Sequence, residues 1–125
     1  MAFFADVYGF IVVKGNSSIP LALIEDISLT TPGFKPCFSD SVKTRNASYI
    51  SFASSVKIDD VEDDLWLRPF ELLLNQIDFL SATVHIDHEE TQNMMMYTYF
   101  KNGDIKKLSI QLSEQCLEER TLSSV

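Results

Sequence analysis

Asn102-Gly103 sits between two runs of β-prone residues, 94–101 and 104–112. No other pair in the chain constrains it so tightly. Asparagine and glycine accept the two positive φ values of a type I′ turn, so the flanking runs are expected to form a two-residue hairpin. Counting outward pairs Phe100 with Ile105, Tyr99 with Lys106 and Tyr97 with Leu108, and sets Met95 opposite Ile110. The expected core face is then Met95, Tyr97, Leu108, Ile110 and Leu112. Met94, Met96, Thr98 and Phe100 fall on the other side, either as a soft surface for a partner or beneath a covering helix or loop.

The hairpin extends upstream. Residues 82–88 read as another strand, joined to Met94 by the polar 89–93 turn, which makes a three-stranded antiparallel meander. Residues 48–58 alternate, with Ile50, Phe52, Val56 and Ile58 on one side and Ser51, Ser55 and Lys57 on the other. Residues 4–14 are apolar on both alternating faces, the pattern of a central strand covered on both sides. Phe70, Leu73, Leu74, Ile77 and Leu80 recur at helical spacing and predict a helix over 69–80, with Pro69 in its first turn. Pro69 disfavours helical geometry at Arg68, which leaves 62–68 open between an added turn and a separate loop.

The remaining segments are less determinate. Residues 19–29 suit a short helix capped by Ser18 or, alternatively, a strand. Thr31-Pro32-Gly33 and Lys35-Pro36 make 30–46 an irregular excursion. Ser113 is placed to cap a short C-terminal helix through Glu119, and 121–125 should fray. The fold class is therefore α+β. One domain over 1–120 is expected, with a mainly antiparallel sheet of about five strands (4–14, 48–58, 82–88, 94–101, 104–112) packed by the 69–80 helix.

Composition supports a packed core, with 46% hydrophobic and 22% charged residues in a chain of 125. The net charge of −8 is regional: residues 59–90 hold ten of the eighteen acids and a single base, Arg68. Such a field selects basic partners and repels nucleic acid and anionic membrane. Free nucleic acid is excluded further because the ten bases form no patch beyond Lys106-Lys107. No apolar run is long enough to span a bilayer, and Met-Ala-Phe-Phe-Ala-Asp is a poor signal peptide, so a cytoplasmic location with Cys37 and Cys116 as reduced thiols is the simpler expectation.

Three constellations bear on chemistry. Asp60, Glu62, Asp64 and Glu71 imitate calcium-loop spacing, but Leu65 stands where the sharp turn needs glycine and Pro69 interrupts the loop. His85 and His88 are weak candidates for a metal site, since on a strand they point to opposite faces and only a bend at Asp87 would bring them together. Trp66, flanked by carboxylates, has two readings: an interface anchor, or a plug between helix and sheet.

No phosphate-binding loop, dinucleotide fingerprint or nucleophile elbow is present, so an enzyme is not expected and no cofactor is implied. The leading expectation is a small acidic protein of inhibitor, immunity or antitoxin type that binds a basic partner such as a toxin or nuclease. Its candidate contact residues are Asp59, Asp60, Glu62, Asp63, Asp64, Trp66, Asp87, Glu89 and Glu90. The alternatives are a small-ligand or metal-binding domain built on His85–Glu90 and a non-catalytic structural subunit of a complex.

Overall fold

The computed structural model describes residues 3–15, 21–30, 36–39, 42–58, 63–88 and 94–112. Its centre is β1 (Phe3–Lys14), which pairs antiparallel with β4 (Ala47–Ile58) on one side and β5 (Phe79–His88) on the other. Beyond β5 lie β6 (Met94–Asn102) and then β7 (Asp104–Leu112). Two short strands within the expected irregular excursion, β2 (Cys37–Phe38) and β3 (Val42–Lys43), pair with the outer edge of β4. The strand order β2-β4-β1-β5-β6-β7, with α1 (Leu21–Thr30) and α2 (Asp64–Gln76), makes an α+β domain as expected. Residues 19–29 thus resolve largely to helix. The expected C-terminal helix, the frayed tail and Cys116 lie outside the described residues. Among the described residues no helix is long and apolar enough to cross a membrane.

The core occupies one face of the sheet. Ala5, Val7, Ile11 and Val13 of β1 join Ile50, Phe52 and Val56 of β4 and Ala82, Val84 and Ile86 of β5. Onto them pack Trp66, Leu67, Phe70, Leu73 and Leu74 of α2 and Ile27 of α1. Both helices therefore cover the same side. β1 is central, as its composition requires, but among the described residues no helix packs on its second face, where Val12 is the one β1 residue buried. Phe4, Tyr8 and Phe10 alternate to the opposite face and are exposed there. β-Branched and aromatic residues on both parities signalled a strand flanked by neighbours in the sheet.

Gly9 occupies the core-face parity between Val7 and Ile11. A Cβ at this position would lie 1.9 Å from the carbonyl oxygen of Thr83 and 3.1 Å from the ring of Phe52. Glycine is required here by space rather than by φ.

Two elements correct the sequence reading. α2 runs from Asp64 to Gln76, not 69–80, and carries Pro69 inside it. An interior proline costs about 3 kcal/mol. Extending the helix backward buries Trp66 and Leu67 almost completely, each worth roughly 1.5–3 kcal/mol, so burial outweighs the proline. At the other end Ile77 is extended and still buried, which releases Phe79 and Leu80 into β5.

The hairpin forms, but one residue out of the expected register. Asn102 pairs with Asp104, Tyr99 with Lys107 and Tyr97 with Ser109, leaving Gly103 alone at the tip with φ 81°. A slip of one residue turns every side chain of β7 over. Leu108 and Ile110, expected in the core, are exposed at 58% and 47%, on the side of Met96 and Phe100. Tyr97 keeps the core face expected of it, with Tyr99 on the same side, and Ile105 is the β7 residue that packs beside them.

Candidate functional site

The strands that lead into the two acidic segments stop at the same end of the sheet. β4 ends at Ile58 opposite Phe3, and β5 ends at His88 opposite Ala5, so the connections 59–62 and 89–93 both leave one end of the sheet. α2 begins at the same end, where Asp63 reaches β5 and β6. His88 Nε2 lies 2.5 Å from Asp63 Oδ1, and the Tyr97 hydroxyl donates to Asp63 Oδ2. A carboxylate accepts only, so this contact sets the His88 proton on Nε2. Asp63 stands at the N-cap position but makes no side-chain cap to its own helix; its backbone carbonyl instead accepts from the Trp66 and Leu67 amides. The carboxylate is committed to the sheet.

A second polar contact lies farther along α2. The Tyr99 hydroxyl donates to Glu71 Oε2 at 2.9 Å, and Lys107 Nζ donates to the same oxygen at 3.1 Å. The Lys107 ammonium also lies over the Tyr97 and Tyr99 rings, 5.2 and 5.8 Å from their centroids. These residues flank a cleft of about 180 Å³ lined by Glu71, Leu74, Asn75, Tyr99, Ile105 and Lys107. That volume is below the roughly 300 Å³ at which small-molecule sites begin, and the charged groups in it are already paired.

Burial raises the ionisation of Tyr97 well above the ordinary phenol range, reinforced by its hydrogen bond to Asp63 and by the charges of Asp63 and Asp64. Tyr99 is raised in the same way, by burial first and then by Glu71. In the unfolded chain both phenols release their protons near pH 10. Over the range above that value the native state holds more protons than the unfolded one, so stability falls as pH rises. Urea midpoints should therefore decline once the pH exceeds about 10. Tyr97→Phe and Tyr99→Phe should each flatten part of that decline; an unchanged slope in both variants would refute the assignment.

Of the residues singled out from sequence, Asp63 and Asp64 open α2, and Asp87 lies one position from His88. Asp59, Asp60, Glu62, Glu89 and Glu90 lie outside the described residues. Trp66 is 3% exposed and packs on Phe52 and Phe70, so it is a plug between helix and sheet rather than a surface anchor. His85 and His88 are on opposite faces, because β5 runs through Asp87 without a bend. The calcium-like spacing fails on geometry as well: Asp64 and Glu71 belong to one helix, and Glu71 is engaged by Tyr99 and Lys107. Among the described residues no cluster of three His, Cys, Asp or Glu side chains is arranged to hold a metal ion.

Exposure on the second face of β1 departs from the sequence expectation of a strand covered on both sides, whereas the exposure of Phe100 was one of the two alternatives for the Met94–Phe100 side. Phe4, Tyr8 and Phe10 are exposed at 50%, 38% and 38% along β1, with Tyr49 of β4 and Phe100 of β6 also exposed. Asp6 and Asp87 stand directly opposite each other on this face, and the next pair, Tyr8 and His85, stacks with ring centroids 5.0 Å apart. The signal was present in the parity of β1. Ala5, Val7, Ile11 and Val13 on one parity are aliphatic and join the core, whereas the other parity, Phe4, Asp6, Tyr8, Phe10, Val12 and Lys14, mixes aromatic and charged residues. Models of known protein families, curated proteins and solved structures were all compared with the chain, and none matches it.

Proposed function

We propose that this chain is a non-catalytic acidic binding protein of inhibitor or immunity type, which docks on a basic partner such as a toxin or nuclease. The observation that supports it is that β4 and β5, which lead into the two acidic segments, end at the same end of the sheet, from which the exposed Phe4, Tyr8 and Phe10 extend along β1. Carboxylates there would stand where a nuclease expects phosphates and would steer its approach, while aromatic contacts would slow dissociation. The Asp63–His88–Tyr97 contact, with the His88 and Asp63 side chains 6% and 11% exposed, joins the helix to the sheet.

The test is kinetic. Binding to a panel of immobilised basic nucleases and toxin domains is measured for the intact chain and for one with Asp59, Asp60, Glu62, Asp64, Glu89 and Glu90 changed to Asn or Gln. Asp63 is left in place because it is structural. The neutralised chain should associate about tenfold more slowly, as should the intact chain when salt rises from about 50 to 300 mM, with little change in dissociation. Salt-independent affinity would refute the electrostatic reading.

A further inference from the structure

Independently of the docking reading, we propose that the sheet face opposite the core binds a soft monovalent metal ion, copper(I), through the His85 imidazole and the thioethers of Met94 and Met96. Strand register, an unsatisfied nitrogen and the chemistry of the donors carry this assignment.

The register places all three side chains on one face. Met96 is the direct cross-strand partner of His85, and Met94 is the partner of Asp87, one diagonal step from His85. Direct partners have Cβ atoms about 5 Å apart and diagonal ones about 7–8 Å, within reach of a methionine side chain. Met95 alternates to the other face and packs against the core. A contact narrows the position of the Met94 sulfur further. The Tyr8 hydroxyl of β1 donates to Met94 Sδ at 3.6 Å, although β5 lies between β1 and β6. Two strand spacings, about 10 Å, separate those strands, so both side chains lean over β5. There the Tyr8 ring stacks on His85 with centroids 5.0 Å apart.

His85 itself points to a ligand. Its Nδ1 is buried and has no hydrogen-bond partner among the described residues. Buried polar atoms are rarely left unpaired, and a metal ion is a partner that an imidazole nitrogen readily takes.

The donor set then selects the ion. An imidazole and two thioethers are uncharged and include two soft sulfurs, which suits copper(I). Zinc and calcium call instead for thiolate, imidazole or oxygen ligands. Asp6 and Asp87, paired in the next row, offset the charge of the ion without entering its ligand set. β2, which carries Cys37, stands three strands from β5, about 14 Å away, and so lies outside the site.

The experiment titrates the full chain, without oxygen and with ascorbate as reductant, with copper(I) buffered by a chromophoric chelator. Silver(I) serves as a redox-inert analogue while methionine methyl and histidine ring signals are followed by NMR. Equimolar ion should shift Met94, Met96 and His85 and leave Met95 unmoved. Met94→Leu and Met96→Leu should each weaken copper(I) binding about tenfold or more, and His85→Phe, which keeps a ring against Tyr8, should abolish it. Met95→Leu should leave binding unchanged, as should Cys37→Ser combined with Cys116→Ser. The methyl shifts are read in the unaltered chain, so they decide the outcome even where a variant fails to fold. Binding lost only with the cysteines, shifts shared equally by Met95, or zinc(II) held as tightly as copper(I) would each overturn the site. So would the absence of any bound ion.

Discussion

Gly9→Ala should remove most of the stability of this domain. The added methyl group would sit 1.9 Å from the Thr83 carbonyl oxygen, a backbone atom of the adjacent strand, and 3.1 Å from the Phe52 ring. Side chains can rotate away, but a ladder carbonyl can move only if β1 and β5 part, and that pair holds the middle of the sheet. Overpacking of this kind costs about 3 kcal/mol or more, against total stabilities of roughly 5–15 kcal/mol. Urea unfolding would measure it. Gly15→Ala is the contrasting control: Gly15 has open space around it but φ 64°, so the expected loss is only about 1–2 kcal/mol of backbone strain. Adding Phe52→Leu to Gly9→Ala should recover little, because the obstacle is backbone. A loss below about 1 kcal/mol for Gly9→Ala would refute so close an approach of the two strands.

Asp63→Ala should be nearly as damaging. It removes the acceptor of both His88 and Tyr97, side chains that are 5% and 8% exposed, and leaves two buried donors without a partner. Stranding buried polar groups in this way costs about 3 kcal/mol. Asp63→Asn, which keeps one acceptor oxygen, should cost less. In a His88→Leu/Tyr97→Phe background the same Asp63→Ala change should cost under about 1 kcal/mol, and this coupling separates a network effect from loss of charge at the helix N-terminus. If Asp63→Ala costs the same in both backgrounds, the three side chains do not act as a unit. The result also bears on function, since a variant that neutralises Asp63 together with its acidic neighbours would confound lost binding with lost folding.

Alternation and turn chemistry brought most of the sheet within reach of the sequence. The strands expected at 4–14, 48–58, 94–101 and 104–112 match β1, β4, β6 and β7 to within one residue at each end. What escaped was set by tertiary packing. The Asn102-Gly103 signal specifies a reversal but not its register: Met95 and Tyr97 face the core as expected, whereas β7 pairs one residue over and turns Leu108 and Ile110 away from it. Pro69 argued for a helix start that the burial of Trp66 and Leu67 overrode.

The candidate site was legible as charge and illegible as shape. The acids at 59–64 and 87–90 stand out in the chain, but that β4 and β5 lead into them from the same end of the sheet depends on the pairing of both strands with β1. Trp66 attracted notice as the single tryptophan among carboxylates, while the aromatics on the surface, Phe4, Tyr8 and Phe10, were concealed in a strand that looked wholly apolar.

The middle position of β1 has a consequence for synthesis. This strand is made before every other strand of the sheet, yet Ala5 must wait for His88, and Val7 for Ile86, before its second edge is closed. At translation speeds of about 5–20 residues per second, the interval is roughly 4–17 s. During it the nascent chain presents a β-branched and aromatic segment, which is prone to pair with other chains. Folding yield should therefore depend on how well that segment is sheltered as it leaves the ribosome, and slowing elongation between β4 and β5 should lower the yield without changing the stability of the finished protein.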